Sequence, residues 1–267
     1  MVMQLPNLTL TLEALAPSGL VLAAEQQAAL QHSLPVKQAQ AGFKTLNFWG
    51  KISARNGKDY LIAEGSNGAY VSDKRLVANN KYCFSQDAIT WVDLEAIGEE
   101  TASRAGSFTT QLSGEPSKMY AYTEPGQPAA EPKEGEEAPP PNVTEVSELQ
   151  RLRHTVDQIS EATGVVPKGT QLLNATNSVV PNHMFSGLAY PDKLEGYAHA
   201  KDGPDGPSLA EDVRGIWSLH HDSFKGTTVC RSLLWPGYVF YYSAATCSWG
   251  GLYMGSGQKN NDLIFML

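Results

Sequence analysis

The stretch EPGQPAAEPKEGEEAPPPN, Glu124 to Asn142, splits this chain of 267 residues near its middle. It is dense in Pro, Glu and Gly and holds no large apolar residue, so burial cannot offset the entropy of ordering it. It reads as an extended, disordered acidic loop. With the weakly patterned residues before it, the loop spans about 114–142 and interrupts one domain covering residues 1–267. A core must then be assembled from sequence on both sides. A proline-rich ligand for a small recognition domain is the alternative reading of the same residues.

On the amino-terminal side, Leu10, Leu12 and Leu15 precede the breaker PSG, and AAEQQAALQHSL (Ala23 to Leu34) is rich in helix formers. TLNFWGKISARNGKDYLIAEG (Thr45 to Gly65) reads as a hairpin turning at Asn56-Gly57. Further strands are expected at Lys81 to Phe84, Thr90 to Leu94 and Ser107 to Leu112.

Beyond the loop, TEVSELQRLRHTVDQISEATG (Thr144 to Gly164) is the clearest helix, with Leu149, Leu152, Val156 and Ile159 on one face. Thr144, Ser147 and Glu148 offer capping chemistry at its start. Two heptads do not specify a coiled coil, so this face is expected to pack on the chain's own sheet. The last fifty residues, GIWSLHHDS, TTVCRSLLWPGYVFYYS and GGLYMG, are strand-like, rich in Tyr, Trp, Val and Phe and bounded by glycines. The pattern predicts an α+β fold of mostly antiparallel sheet with a few packed helices and the acidic Pro-rich loop.

A net charge of −8 argues against nucleic acid or an anionic membrane surface as partner, since both need clustered Lys and Arg. No apolar run approaches the length of a spanning helix. MVMQLPNLTLTLEAL lacks the basic head and clean apolar stretch of a secretory signal. Cys83, Cys230 and Cys247 are odd in number and unpatterned, which suits reduced thiols in the cytoplasm.

GSGQK, Gly255 to Lys259, asks whether phosphate is cradled. The Walker pattern fails because the glycines and lysine are misspaced and no Ser or Thr follows Lys259. The segment is expected to be a turn between strands, with Gly and Asn supplying positive φ. Adjacent His220 and His221 point to opposite faces of a strand and cannot share a metal. Cys230 and Cys247 lack zinc spacing. Ser218, His220 and Asp222 alternate along one strand without the geometry of a triad. The carboxylate pairs Glu99-Glu100, Glu136-Glu137 and Glu211-Asp212 sit in polar surroundings and read as solvated. No catalytic, cofactor or metal site emerges.

Aromatic density stands out instead. Phe48-Trp49-Gly50 and the run Leu233 to Tyr242 set large side chains beside glycine and proline. Trp235, beside Pro236 and Gly237, is expected at a bend, filling the core beneath it or, as the alternative, an adjoining subunit's pocket. Alternation along Tyr238 to Tyr242 is expected to send one set inward and leave the other for a neighbour.

NFWGKI (Asn47 to Ile52), DYLIAEG (Asp59 to Gly65), CRSLLWPGYVFYY (Cys230 to Tyr242) and LYMGSGQKNNDLIFML (Leu252 to Leu267) together resemble the radial spoke head family. The resemblance covers the amino-terminal third and the carboxyl-terminal quarter. It is poor over Gly114 to Asn142 and Lys201 to Gly215. It implies a non-catalytic structural subunit of the radial spoke in the axoneme of motile cilia and flagella, without cofactor. Such a subunit would support spoke head assembly and signalling between central pair and outer doublets. Implied partners are the larger spoke head proteins 4 and 6, with indirect contact to central pair projections. The matching residues read as architectural: Phe48, Trp49, Gly50, Leu233, Leu234, Trp235, Pro236, Gly237, Gly255, Gly257, Lys259, Asn260 and Asp262. A soluble adaptor binding peptides through the acidic loop is the alternative, with an unrecognised hydrolase behind it.

Overall fold

The computed structural model describes residues 8–72, 75–123 and 143–266, so the loop read at 124–142 lies outside the described residues. Helices α1 (Leu8–Leu15) and α2 (Ala24–Ala41) lead into strands β1 (Thr45–Ile52), β2 (Tyr60–Ser72), β3 (Arg75–Ser85) and β4 (Val92–Leu94). Helix α3 (Glu99–Gly106) comes next, then β5 (Met119–Thr123), β6 (Val143–Ser147) and helix α4 (Glu148–Thr163). Short strands β7 (Val165–Pro167), β8 (Gln171–Leu173), β9 (Val179–Pro181) and β10 (Tyr197–His199) follow. Strands β11 (Trp217–Asp222), β12 (Thr227–Ser232), β13 (Tyr238–Ser243) and β14 (Ser248–Gly255) precede the terminal turn α5 (Leu263–Met266).

The fold is α+β and mostly antiparallel. One large sheet carries the order β11-β12-β13-β14-β1-β2-β3-β4. Its halves are two antiparallel meanders, one from each end of the sequence, joined where β1 runs parallel to β14.

Helices cover both faces of this sheet. On one face Leu152, Val156 and Ile159 of α4 pack on Ile52, Tyr60, Ile62, Tyr82, Phe84, Phe240 and Tyr253. On the other, Leu8, Leu12 and Leu15 of α1 and Leu30 and Leu34 of α2 pack on Leu46, Phe48, Leu61, Ala63, Val239, Tyr241 and Leu252. That second layer corrects the reading of Tyr238 to Tyr242. Every residue of this run is buried, because each of the two alternating sets meets its own core. No aromatic set of β13 is left for a neighbour.

The α4 stripe packs on the sheet as expected, but the helix starts later than Thr144. Thr144 belongs to β6, and Ser147 is the N-cap: its Oγ accepts from the Gln150 N–H at 3.2 Å, while the Gln150 side chain accepts from the Ser147 N–H at 2.9 Å. This reciprocal pair satisfies two helix-end donors and fixes the boundary. Helix α2 runs past Leu34 to Ala41 with Pro35 inside it on the exposed side, and ends on Gly42 at φ +68°. Residues Ser107 to Leu112 form no strand; they cross above α4 as irregular chain.

The proposed loop span narrows from its amino-terminal side. Met119–Thr123 pairs with Val143–Ser147 in register Met119↔Ser147 through Thr123↔Val143. Residues before 124 therefore contribute a strand. Tyr120, partly buried there, gives that strand its anchor.

Candidate functional site

The residues that the sequence marks as architectural converge on the seam between the two meanders. In β1 the register shifts between Phe48 and Gly50, so Trp49 steps out of the ladder as a bulge. The bulge lets neighbours serve opposite cores: Phe48 enters the face under α1 and α2, and Trp49 the face under α4. The Trp49 indole donates from Nε1 to Ser160 Oγ of α4 at 2.9 Å, and its ring centroid lies 5.5 Å from that of Tyr253. Gly50, Lys51 and Ile52 then pair in parallel with Tyr253, Met254 and Gly255.

Glycine is required at this seam. Gly50 holds φ +152°, and a Cβ there would overlap the backbone carbonyl of Tyr253. A Cβ on Gly237 would overlap the carbonyl of Met254. These glycines exist for close backbone approach.

The turn from β12 to β13 closes the other side. Its backbone is tied down by bonds from Leu233 N–H to Ile216 O at 2.8 Å, Trp235 N–H to Ser232 Oγ at 3.2 Å and Met254 N–H to Gly237 O at 2.9 Å. Trp235 is 3% exposed and belongs to the α4-side core, where the expectation placed it. Leu234 packs against that core, whereas Leu233 and Pro236 face outward.

After β14 the tail turns back over the seam. The Gly257 N–H donates to Tyr253 Oη at 2.9 Å, the Asn260 N–H to Leu234 O at 2.8 Å, and the Asp262 N–H to Asn260 Oδ1 at 3.2 Å. GSGQK is a turn, with Gly257 at φ +74°, but it links a strand to the α5 turn and not two strands. Lys259 and Asp262 point their side chains to solvent.

Two buried acids escaped the sequence reading. Glu148, fully buried at the first turn of α4, accepts at Oε1 from the N–H groups of Ser113 (2.5 Å) and Gly114 (3.2 Å). Its Oε2 accepts from Tyr120 Oη at 2.6 Å and lies 3.6 Å from Arg151 Nη1. Arg151 stacks on Tyr120 at 4.4 Å and donates to Thr110 O at 2.6 Å. This network clamps residues 108–120 onto α4. Glu64 in β2 is 7% exposed and accepts at Oε1 from Asn80 Nδ2 and, at 3.3 Å, from Tyr82 Oη. Burial pushes its carboxyl above the usual range, against the opposing hydrogen bonds from Tyr82 and Asn80. Glu148 sits in a sequence context that looks solvated, whereas for Glu64 the apolar run Leu61 to Ala63 just before it is the one local signal of burial.

The remaining candidates fall apart in space. Ser218, His220 and Asp222 line one face of β11, yet among the described residues no hydrogen bond joins them; Asp222 Oδ1 accepts from Phe224 and Lys225 N–H groups. His221 points to the other face and meets Thr228 Oγ1 at 2.9 Å. Glu99 and Glu100 begin α3 at the surface, and Glu136-Glu137 lies outside the described residues. Asp212 corrects its solvated reading, because its Oδ2 meets His199 Nε2 at 2.8 Å and accepts from Trp217 Nε1 at 2.7 Å. All three cysteines are free thiols. Among the described residues no cluster of three or more His, Cys, Asp or Glu side chains converges as metal ligands would.

No protein-family model matches the chain. Curated relatives match it along its whole length. It is similar to "Radial spoke head protein 9 homolog" of Danio rerio at 35% identity, over 98% of this chain and 99% of the relative. The homologues of the same name from Mus musculus and Homo sapiens are 31% and 30% identical, each over 99% of this chain and 100% of the relative.

Proposed function

The chain belongs to the radial spoke head protein 9 family, and on that premise we propose that it is a structural, non-catalytic subunit of the radial spoke head in the axoneme of motile cilia and flagella. In this reading it helps assemble the spoke head beside its larger relatives, spoke head proteins 4 and 6. It also stiffens the path by which central pair contact reaches the outer doublets.

The observation that carries the reading is end-to-end similarity to spoke head homologues, and the place of the sequence motifs in the fold is consistent with it. NFWGKI, LLWPG and YMGSGQKNND meet at one buried seam, where the two ends of the chain are stitched into a single sheet. Residues held for backbone approach and core filling suit a component that bears load. The single domain spanning 1–267 belongs to the same proposal.

Affinity purification of the tagged chain from salt-solubilised axonemes tests the partners. Spoke head proteins 4 and 6 should be recovered in constant ratio with it. Recovery of the chain alone, or with soluble enzymes, would sink the assembly role.

A further inference from the structure

Strands β1 and β14 touch only near their carboxyl ends. Gly50–Ile52 pair with Tyr253–Gly255, while residues 45–49 and 248–252 share no register. A cleft of about 600 Å³ opens beside these diverging ends, bounded by Thr45 and Asn47 of β1, Trp249 of β14, Phe185 and the β8–β9 hairpin.

Oxygen acceptors without donors line this cleft. Glu64 receives bonds at Oε1 from Asn80 and Tyr82, and its Oε2 accepts none among the described residues. Asn80 Nδ2 is committed to Glu64, which fixes Asn80 Oδ1 as an acceptor, and that atom is buried without a partner. Asn47, 4% exposed, has its Oδ1 buried and unpaired, as has Gln171 its Oε1. Lys44, the one cation among the described lining residues, is exposed at the rim. The charge of the chain's own amino terminus and, more weakly, that of Arg153, itself paired with Asp157 at 2.8 Å, favour the ionised form of Glu64. The buried amide oxygens of Asn47, Asn80 and Gln171 cost stability until a donor arrives, and the Glu64 carboxyl beside them has an oxygen free to accept.

We propose that this cleft receives an arginine side chain presented by a neighbouring polypeptide, its guanidinium on Glu64, Asn47 and Asn80 and its stem along Phe185 and Trp249. A guanidinium brings five donors in a planar fork and stacks on indole, which matches several separated acceptors beside Trp249. An ammonium brings three donors from one point, and a divalent ion would find one carboxylate where such ions take several hard oxygen ligands. Val180, exposed by 37% on the β8–β9 hairpin and lining the cleft with Val179, gives the partner's backbone an apolar rim. The net charge of −8 favours approach of a basic segment. The chemistry stands whichever complex the chain joins.

Titration of the full-length protein with a blocked arginine tripeptide, followed by NMR at the Trp249 indole N–H, tests the site. The arginine peptide should shift this signal saturably in the millimolar range or tighter. Its citrulline counterpart, equal in shape and uncharged, should bind at least about tenfold more weakly. Glu64→Gln should weaken the arginine peptide by a similar factor, and Lys44→Gln, remote from the fold's core, should tighten it. Equal binding of both peptides, no saturable shift, or unchanged affinity in Glu64→Gln would overturn the proposal. Should Glu64→Gln fail to fold, weaker binding by Lys44→Gln would overturn it alone.

Discussion

Gly50 lies so close beneath the backbone carbonyl of Tyr253 that a side chain at residue 50 would occupy the same space. The contact joins the first strand of the sheet to the last, and φ +152° excludes most L side chains independently. Gly50→Ala should therefore cost about 3 kcal/mol or more, the sum of backbone strain and forced displacement. Gly57→Ala is the control. Gly57, at φ +79°, has open space around its Cβ position and should lose only about 1 kcal/mol. Denaturant unfolding of both variants checks the difference; equal losses would remove close approach as the reason for Gly50.

Trp235→Ala should cost about 3–5 kcal/mol, because the ring is buried in the α4-side core. Its Nε1 has no hydrogen-bond partner among the described residues. Trp235→Phe, which removes that orphaned donor along with part of the ring, should lose distinctly less than the alanine variant. If Trp235→Ala melts like the parent, the core assignment fails.

Glu148→Ala removes the acceptor of Ser113, Gly114 and Tyr120 and leaves Arg151 buried without its acid. A loss of about 3–5 kcal/mol is expected. Hydrogen exchange should rise first in residues 108–120, which the network holds against α4. Unchanged protection there would show that the clamp is dispensable.

Glu64 makes stability depend on pH in a defined direction. Its folded-state pKa is raised, by burial first, so the folded chain holds this proton more tightly than the unfolded one. Stability is then lost as pH rises from the unfolded value, about 4.3, through the folded value. Glu64→Gln lacks this loss. Its melting temperature should exceed the parent's at pH 7.5 and converge with it near pH 4. A parent that is more stable than the variant at pH 7.5 would contradict a carboxyl whose burial outweighs its hydrogen bonds.

The three thiols should separate by reactivity. Burial pushes Cys83 and Cys230 up to about 12, and both are inaccessible. Cys247 is half-buried in the β13–β14 turn at φ +49°. Iodoacetamide at pH 8 should label Cys247 in the native protein and the other two only after denaturation. Native labelling of Cys230 would show the sheet to open there.

How much of this was legible in the sequence depended on range. The α4 stripe at Leu149, Leu152, Val156 and Ile159 and the hairpin of NFWGKI with DYLIAEG were readable because helix period and strand alternation are local signals. The parallel pairing of residues 50–52 with 253–255 was not, since nothing near either segment names a partner two hundred residues away. The second core was hidden for a related reason: α2 carries weak apolar patterning, so nothing local marks the second face of β13 as covered. Gly50 and Gly237 read only as architectural, because the carbonyl that requires each of them lies elsewhere in the chain. Glu64 and Glu148 were invisible because burial of an acid is decided by what packs over it.

Excision of residues 124–142 with a short Gly-Ser bridge should leave the fold intact. The flanking residues Thr123 and Val143 are register partners at the open end of the β5–β6 ribbon, so the cut ends already lie side by side. A stability change within about 1 kcal/mol is expected in chemical denaturation. A loss of several kcal/mol would show that this segment is packed structure.

The central claim, a structural subunit of the spoke head, is tested most directly by fractionating motile flagella with detergent. The account predicts that the protein stays with the extracted axoneme and disappears from axonemes of mutants lacking spoke heads. Release into the soluble fraction, or undiminished retention on axonemes without spoke heads, would contradict it.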